Sequence, residues 1–161
     1  MGTRDSDGIR WHYTTGSRFK QILESGVIRP ATKFVPAGER PVVWFSTEPV
    51  WEPTANKMRQ NRDGSFISQD MTQTAEGCEG LVRIGVLPQT APHDWRAFKQ
   101  LSGISAKMAE GLYNVAKLQN ARPGHWYVTF EEVPKSAWVS IETWDGVNPA
   151  GWMPYETGKD G

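Results

Sequence analysis

His12 stands at the end of a short apolar run, followed by Tyr13, Thr14 and Thr15 and lying directly ahead of a well-punctuated helix. A histidine in that setting is either a packed side chain or a first grip on a ligand, because one ring nitrogen can be held by the backbone while the other bonds a hydroxyl. A second run, "VVWFST" (42–47), carries Trp44, Phe45, Ser46 and Thr47. An aromatic on a strand beside His12 can cover one face of a planar ring, and a nearby backbone amide can hold that ring's polar substituent. Eight tryptophans in 161 residues serve mostly for packing, but such a surplus of flat side chains also suits stacking.

Several other chemistries are excluded by residue type and spacing. The chain has no G-x-S-x-G elbow, no H-E-x-x-H pair, no P-loop and no G-x-G-x-x-G after a strand. His12, His93 and His125 are far apart and lack carboxylates at ligand spacing, so no metal site is expected. Cys78 is the only cysteine, which excludes an internal disulfide and a multi-thiolate zinc site. It sits between Glu76 and Glu79, whose charges disfavour a nucleophilic thiolate.

The chain balances 18 basic against 18 acidic residues. A general phosphate-backbone binder would show a basic excess, so only a local patch is left for nucleic acid. The length suits one domain, expected over 9–152, with polar flexible tails at 1–8 and 153–161. With no run of about 20 apolar residues and no apolar leader segment, a soluble, cytoplasmic protein without a membrane partner is expected. "MGTRDS" fits the loose myristoylation pattern at Gly2 and Ser6, a pattern short enough to arise by chance.

The elements that must position His12 and Trp44 can be read from pattern. "IRWHY" alternates as a short strand, and a helix capped by Thr15 or Ser17 and stopped by Gly26 follows it. Residues 27–41 are a proline-rich extended loop, and "VVWFST" is a buried strand. Glu48 to Glu79 reads as a long irregular segment, with one short helix from Ala55 to Gln60 and the character of a binding loop. "GLVRIGVL" is a strand, 92–121 holds two helices joined near Gly103, and "HWYVTF" and "AWVSIETW" are late strands. In the second of those helices Met108, Leu112, Val115 and Leu118 make the apolar face. Without regular strand–helix alternation, the fold class is α+β, a mixed sheet with flanking helices.

Taken together, "WHYTTGSRFKQILESGVIRP" and "ERPVVWFSTEPVWEPTANK" resemble the NAD-binding half of the ADP-ribosyltransferase fold. That superfamily includes diphtheria-toxin-like enzymes, poly(ADP-ribose) polymerases and small rifampicin-modifying transferases; this chain is similar to a small bacterial or phage type. The resemblance implies a single ADP-ribosyltransferase-like domain with NAD as cofactor and an unidentified acceptor that is protein, nucleic acid or small molecule. It makes His12 a ribose contact, Trp44 the aromatic that stacks on nicotinamide, and Tyr13, Thr14 and Ser46 further binding positions.

The family also places a glutamate at the head of a late strand, where it stabilises charge as nicotinamide leaves. The equivalent position here is His125. Glu131 and Glu132 lie at the far end of the same strand, as a solvated turn pair or as the source of a catalytic acid. Arg83 interrupts an apolar strand and either faces solvent at an edge or reaches a phosphate. Three functions follow as expectations: NAD-dependent ADP-ribosyl transfer, a module that holds NAD or a related nucleotide or a protein without catalysis, and RNA 2′-phosphotransfer on the same fold.

Overall fold

The structure, a computed structural model, describes residues 8–32 and 35–155. In chain order the strands are β1 (Arg10–Thr15), β2 (Val27–Ile28), β3 (Val43–Ser46), β4 (Met58–Gln60), β5 (Phe66–Ser68), β6 (Leu81–Val86), β7 (His93–Asp94), β8 (Trp126–Thr129), β9 (Val133–Pro134), β10 (Ser140–Trp144) and β11 (Trp152–Pro154). The helices are α1 (Gly16–Ser25), α2 (Met71–Gly77), α3 (Trp95–Leu101) and α4 (Ala106–Leu118). Seven strands form one sheet in the order β11-β10-β6-β1-β3-β8-β7, while β2 pairs with β9 and β4 with β5. All these pairings are antiparallel, giving a single α+β domain.

Alternation along β1 sends Trp11, Tyr13 and Thr15 to one face, where they are buried, and Arg10, His12 and Thr14 to the other. Thr15 then caps α1 by accepting the Arg18 N–H at 3.3 Å, and Gly26, at φ +74°, ends the helix in the left-handed region. Phe19 and Ile22 of α1 close over Val43, Phe45, Val82, Ile84 and Val86 to form the main core. On the opposite face Trp11, Tyr13, Trp51 and Leu81 form a second cluster, and Val42, Phe98 and Val128 a third beneath Trp44 and Trp95.

The strand-to-helix corner has no room for a side chain. A Cβ at Gly16 would lie 1.9 Å from the Glu79 carbonyl oxygen, which is backbone and cannot swing away. The Gly16 N–H meanwhile donates to Gly80 O at 2.8 Å. Gly16→Ala is expected to destabilise the fold by about 3 kcal/mol or more, and urea unfolding midpoints check it; an unchanged midpoint would contradict the packing.

Three segments depart from expectation. The helix expected over Ala55–Gln60 is absent: Pro53–Ala55 forms one 3-10 turn, Asn56 is extended, and β4 and β5 make a hairpin around Asp63-Gly64. The turn residues and the cross-strand pairing prevail there over weak helical preference. The supposedly irregular run also contains α2, started by a reciprocal capping box between Asp70 and Gln73. In α4 the buried residues are Ala109 and Ala116, while Met108, Val115 and Leu118 are exposed. Small side chains let this helix approach Trp126 closely, which rotates its longer apolar residues outward.

Order extends past 152, since β11 pairs with β10 and the Tyr155 ring meets Phe19 at 5.2 Å. Gly2 and Ser6 of the myristoylation pattern, and the tails before 8 and after 155, lie outside the described residues. Among the described residues no helix is long and apolar enough to cross a membrane.

Candidate functional site: a cleft where two strands part

β1 pairs with β6 along its whole length, but meets β3 only at Trp11↔Ser46. Beyond that bridge the two strands separate, and His12 spans the seam, its Nδ1 lying 2.9 Å from the Trp44 carbonyl oxygen. A carbonyl only accepts, so Nδ1 carries the proton and Nε2 of the neutral ring is left as an acceptor. Nε2 has no hydrogen-bond partner among the described residues. The seam therefore creates a fixed histidine with one nitrogen committed and one available.

Two cavities meet at this seam and share His12, Tyr13, Trp44, Thr54 and Ala55. The first, about 370 Å³, is walled by Trp11, Trp44, Trp126, Leu112 and Val115 and contains Ser46 and Glu52. The second, about 600 Å³, is lined by Thr14, Arg18, Gln21, Arg29 and Lys57 among others, and no Asp or Glu lines it. One chamber is thus aromatic with a carboxylate, the other polar and cationic.

Glu52 is the residue that sequence reasoning missed. It is 7% exposed, and four donors converge on it. Ser46 Oγ donates to Oε1 at 2.7 Å, while Oε2 accepts from Thr54 N at 3.2 Å, Thr54 Oγ1 at 2.5 Å and Trp126 Nε1 at 3.1 Å. Ser46 in turn accepts the Glu48 N–H at 3.1 Å. Oε1 thus keeps one acceptor position. The only local signal was the "EPT" sequence, in which Glu52 caps the turn that Pro53 begins.

The residues read as binding positions have separate fates. Thr14 lines the cationic chamber and Ser46 the aromatic one. Trp44 borders both, but its indole lies in a different layer from His12: it packs on Phe98 at 4.8 Å and edge-on to Trp126 at 5.6 Å, whereas the His12 ring faces Phe45 at 5.7 Å. Tyr13 donates its hydroxyl to Glu48 O, and burial pushes its pKa up to about 12. Trp126 also walls the aromatic chamber.

Arg83 is neither at an exposed edge nor free for a phosphate. β6 lies inside the sheet, and Arg83 is 8% exposed, its guanidinium between the Trp11 ring at 3.9 Å and the Trp152 ring at 4.6 Å. Its Nε and Nη2 donate to Glu142 Oε1 at 2.9 and 2.6 Å, and its Nη1 to Tyr13 Oη at 3.0 Å and Pro49 O at 2.7 Å. A guanidinium placed within an apolar strand must have its donors satisfied internally, and these partners do so.

His125 ends the 3-10 turn Pro123–His125 just ahead of β8, and its Nδ1 meets Glu48 Oε2 at 2.7 Å. Glu131 and Glu132 are not brought to His12. The chain leaves β8 after Thr129, and both glutamates border a separate concavity with Arg40 and His93. Glu132 approaches the cleft only through Arg29, at 3.4 Å on the surface. No group of three or more metal-ligating side chains occurs among the described residues.

Burial disfavours the imidazolium of His12; the charges of Arg18 and Lys57 act in the same direction, and the bond to Trp44 opposes them, leaving its pKa below the ordinary 6.5. The unfolded chain takes up this proton as pH falls below about 6.5, before the folded ring does. The stability linked to His12 is therefore complete above that value and is lost as pH falls through the folded pKa. Urea midpoints at neutral and mildly acidic pH should differ more for the wild type than for His12→Gln; equal pH dependence would contradict this environment.

No protein-family model, no curated protein and no solved structure matches the chain, so the chemistry of the cleft itself is what bears on function.

Proposed function

We propose that the cleft binds NAD and that the protein transfers ADP-ribose from it to an acceptor, releasing nicotinamide. The carrying observation is the fixed His12, whose available Nε2 stands where an aromatic chamber with a carboxylate meets a cationic chamber. A folded dinucleotide needs that sequence of environments: a flat apolar pocket for the nicotinamide, an acceptor for a ribose hydroxyl, and cations for the pyrophosphate. Both cavities fall within the usual size of small-molecule sites.

In this reading Trp11 and Trp126 enclose the nicotinamide and His12 Nε2 accepts from a ribose hydroxyl, while Arg18 and Lys57 face the phosphates. As the bond from the ribose anomeric carbon to the ring nitrogen breaks, its electron pair goes to the ring and positive charge develops on the ribose. Glu52, shielded from water, opposes that charge. The acceptor's nucleophile then bonds the anomeric carbon and gives up its proton to water.

A second reading, a module that holds NAD or ADP-ribose intact, is favoured by His125 standing just ahead of β8 in place of an acid. Two measurements separate the readings. Chromatographic assay of nicotinamide released from NAD is expected to show turnover that His12→Ala loses. Calorimetric binding without turnover selects the module, and absence of both rejects NAD as ligand.

A further inference from the structure

The β4–β5 hairpin has a composition and an exposure that the folded domain does not need. All six of its strand residues are exposed, including Phe66 at 60% and Met58 at 55%. Two-stranded hairpins with no buried face are marginal in water, yet this one is tied at both ends. At its root Lys57 N donates to the buried Thr74 Oγ1 at 3.1 Å and Gln69 N to Lys57 O at 2.9 Å. At its tip Asn61 N donates to Ser65 O at 2.7 Å, and Asp63 Oδ1 accepts from Ser65 N and Oγ at 2.9 and 2.6 Å.

The chain's net charge is zero, but the hairpin's is not. Between 57 and 68, Lys57, Arg59 and Arg62 stand against the single acid Asp63. None of those three cations has an ion pair among the described residues. Lys57 also lines the cationic chamber, so positive charge runs from Arg62 in the turn past Arg59 on β4 to the cleft. Cross-strand register places Gln60 opposite Phe66 and Arg59 opposite Ile67, which presents an aromatic ring on one face and a guanidinium on the other.

From this arrangement, and resting on the reading of the cleft as a nucleotide-transfer site, we infer that the hairpin is an arm that docks single-stranded nucleic acid as the acceptor. A single strand crossing the edge of the hairpin can set its phosphates against Lys57, Arg59 and the turn residue Arg62 and reach Phe66 on the other face with a base to stack. An acidic peptide would use the charges but leave the aromatic without a role. A second copy of the chain would bring like-charged arms together.

The test is fluorescence anisotropy with labelled mixed-sequence 15-nucleotide single strands, one RNA and one DNA, against the full chain. Binding is expected to weaken with salt, with a log–log slope near −2 for about three phosphate contacts. The double variant Arg59→Glu/Arg62→Glu should lose at least about tenfold in affinity and most of the salt slope, and Phe66→Ala about fivefold or more. Both variants should keep wild-type calorimetric affinity for NAD. The RNA and DNA arms show which sugar is preferred, and binding of either supports the inference.

Absence of binding to both strands, or unchanged binding by the double variant, overturns it, as does equal binding of labelled polyglutamate, which would assign the arm to an acidic protein. Oligonucleotide binding without NAD binding would leave the arm standing and reject the cleft reading; NAD turnover without oligonucleotide binding would do the reverse.

Discussion

His12→Ala is expected to lower kcat/KM for nicotinamide release by at least about 100-fold while leaving a folded protein. The substitution removes two things at once. The acceptor at Nε2 disappears, and with it the contact proposed to fix the ribose between the chambers. The Trp44 carbonyl also loses its partner at 2.9 Å, at the point where the β1–β3 ladder has ended and no strand amide replaces it. An unpaired carbonyl there costs about 1–3 kcal/mol. His12→Gln separates the effects: its amide can donate to Trp44, so unfolding midpoints should recover more than activity does. Full activity in either variant would contradict the role given to the imidazole.

Glu52→Gln is expected to reduce kcat by about 100-fold or more, with a smaller change in KM, because the charge it removes matters most as the ribose becomes cationic. It should also destabilise the fold by about 1–3 kcal/mol, the loss of charge-assisted bonds. The amide nitrogen is expected at the Oε1 position, where the Ser46 hydroxyl can turn to accept, because Oε2 faces the fixed Thr54 and Trp126 N–H donors. Ser46→Ala provides the control, since it removes one donor while keeping the carboxylate. It should lose stability yet retain activity within about tenfold. Activity measured at a temperature where circular dichroism shows each variant folded distinguishes the two effects. A Glu52→Gln enzyme with wild-type kcat would move the electrostatic role elsewhere, to the Glu48–His125 pair in particular.

His12 was legible in the sequence because its setting is local: an alternating strand, a capped helix and a glycine stop within seventeen residues, 10–26. The proximity of Trp44 was legible for the same reason, but the layer its indole occupies was not. That layer depends on Phe98 and Trp126, which arrive from distant strands and helices. Glu52 was hidden because Trp126 is 74 positions away and its nearer partner Ser46 reads as a strand end. Arg83 was misread because Glu142, which neutralises it, lies 59 positions along the chain. The glutamates at 131 and 132 follow β8 in sequence, at the end that turns away from the seam. Pattern carried β1, α1, β3, β6 and the late strands in their order but not the β4–β5 hairpin or the helix at Met71–Gly77; the carboxylate at the cleft came from long-range packing, which pattern does not encode.

The most direct test of the cleft is a crystal structure of the protein with a slowly cleaved NAD analogue. The account predicts a ribose hydroxyl within about 3 Å of His12 Nε2, the nicotinamide between Trp11 and Trp126 near Glu52, and the pyrophosphate beside Arg18 and Lys57. An analogue bound elsewhere, or a His12 whose Nε2 is bonded to the protein with the seam closed around it, would contradict it.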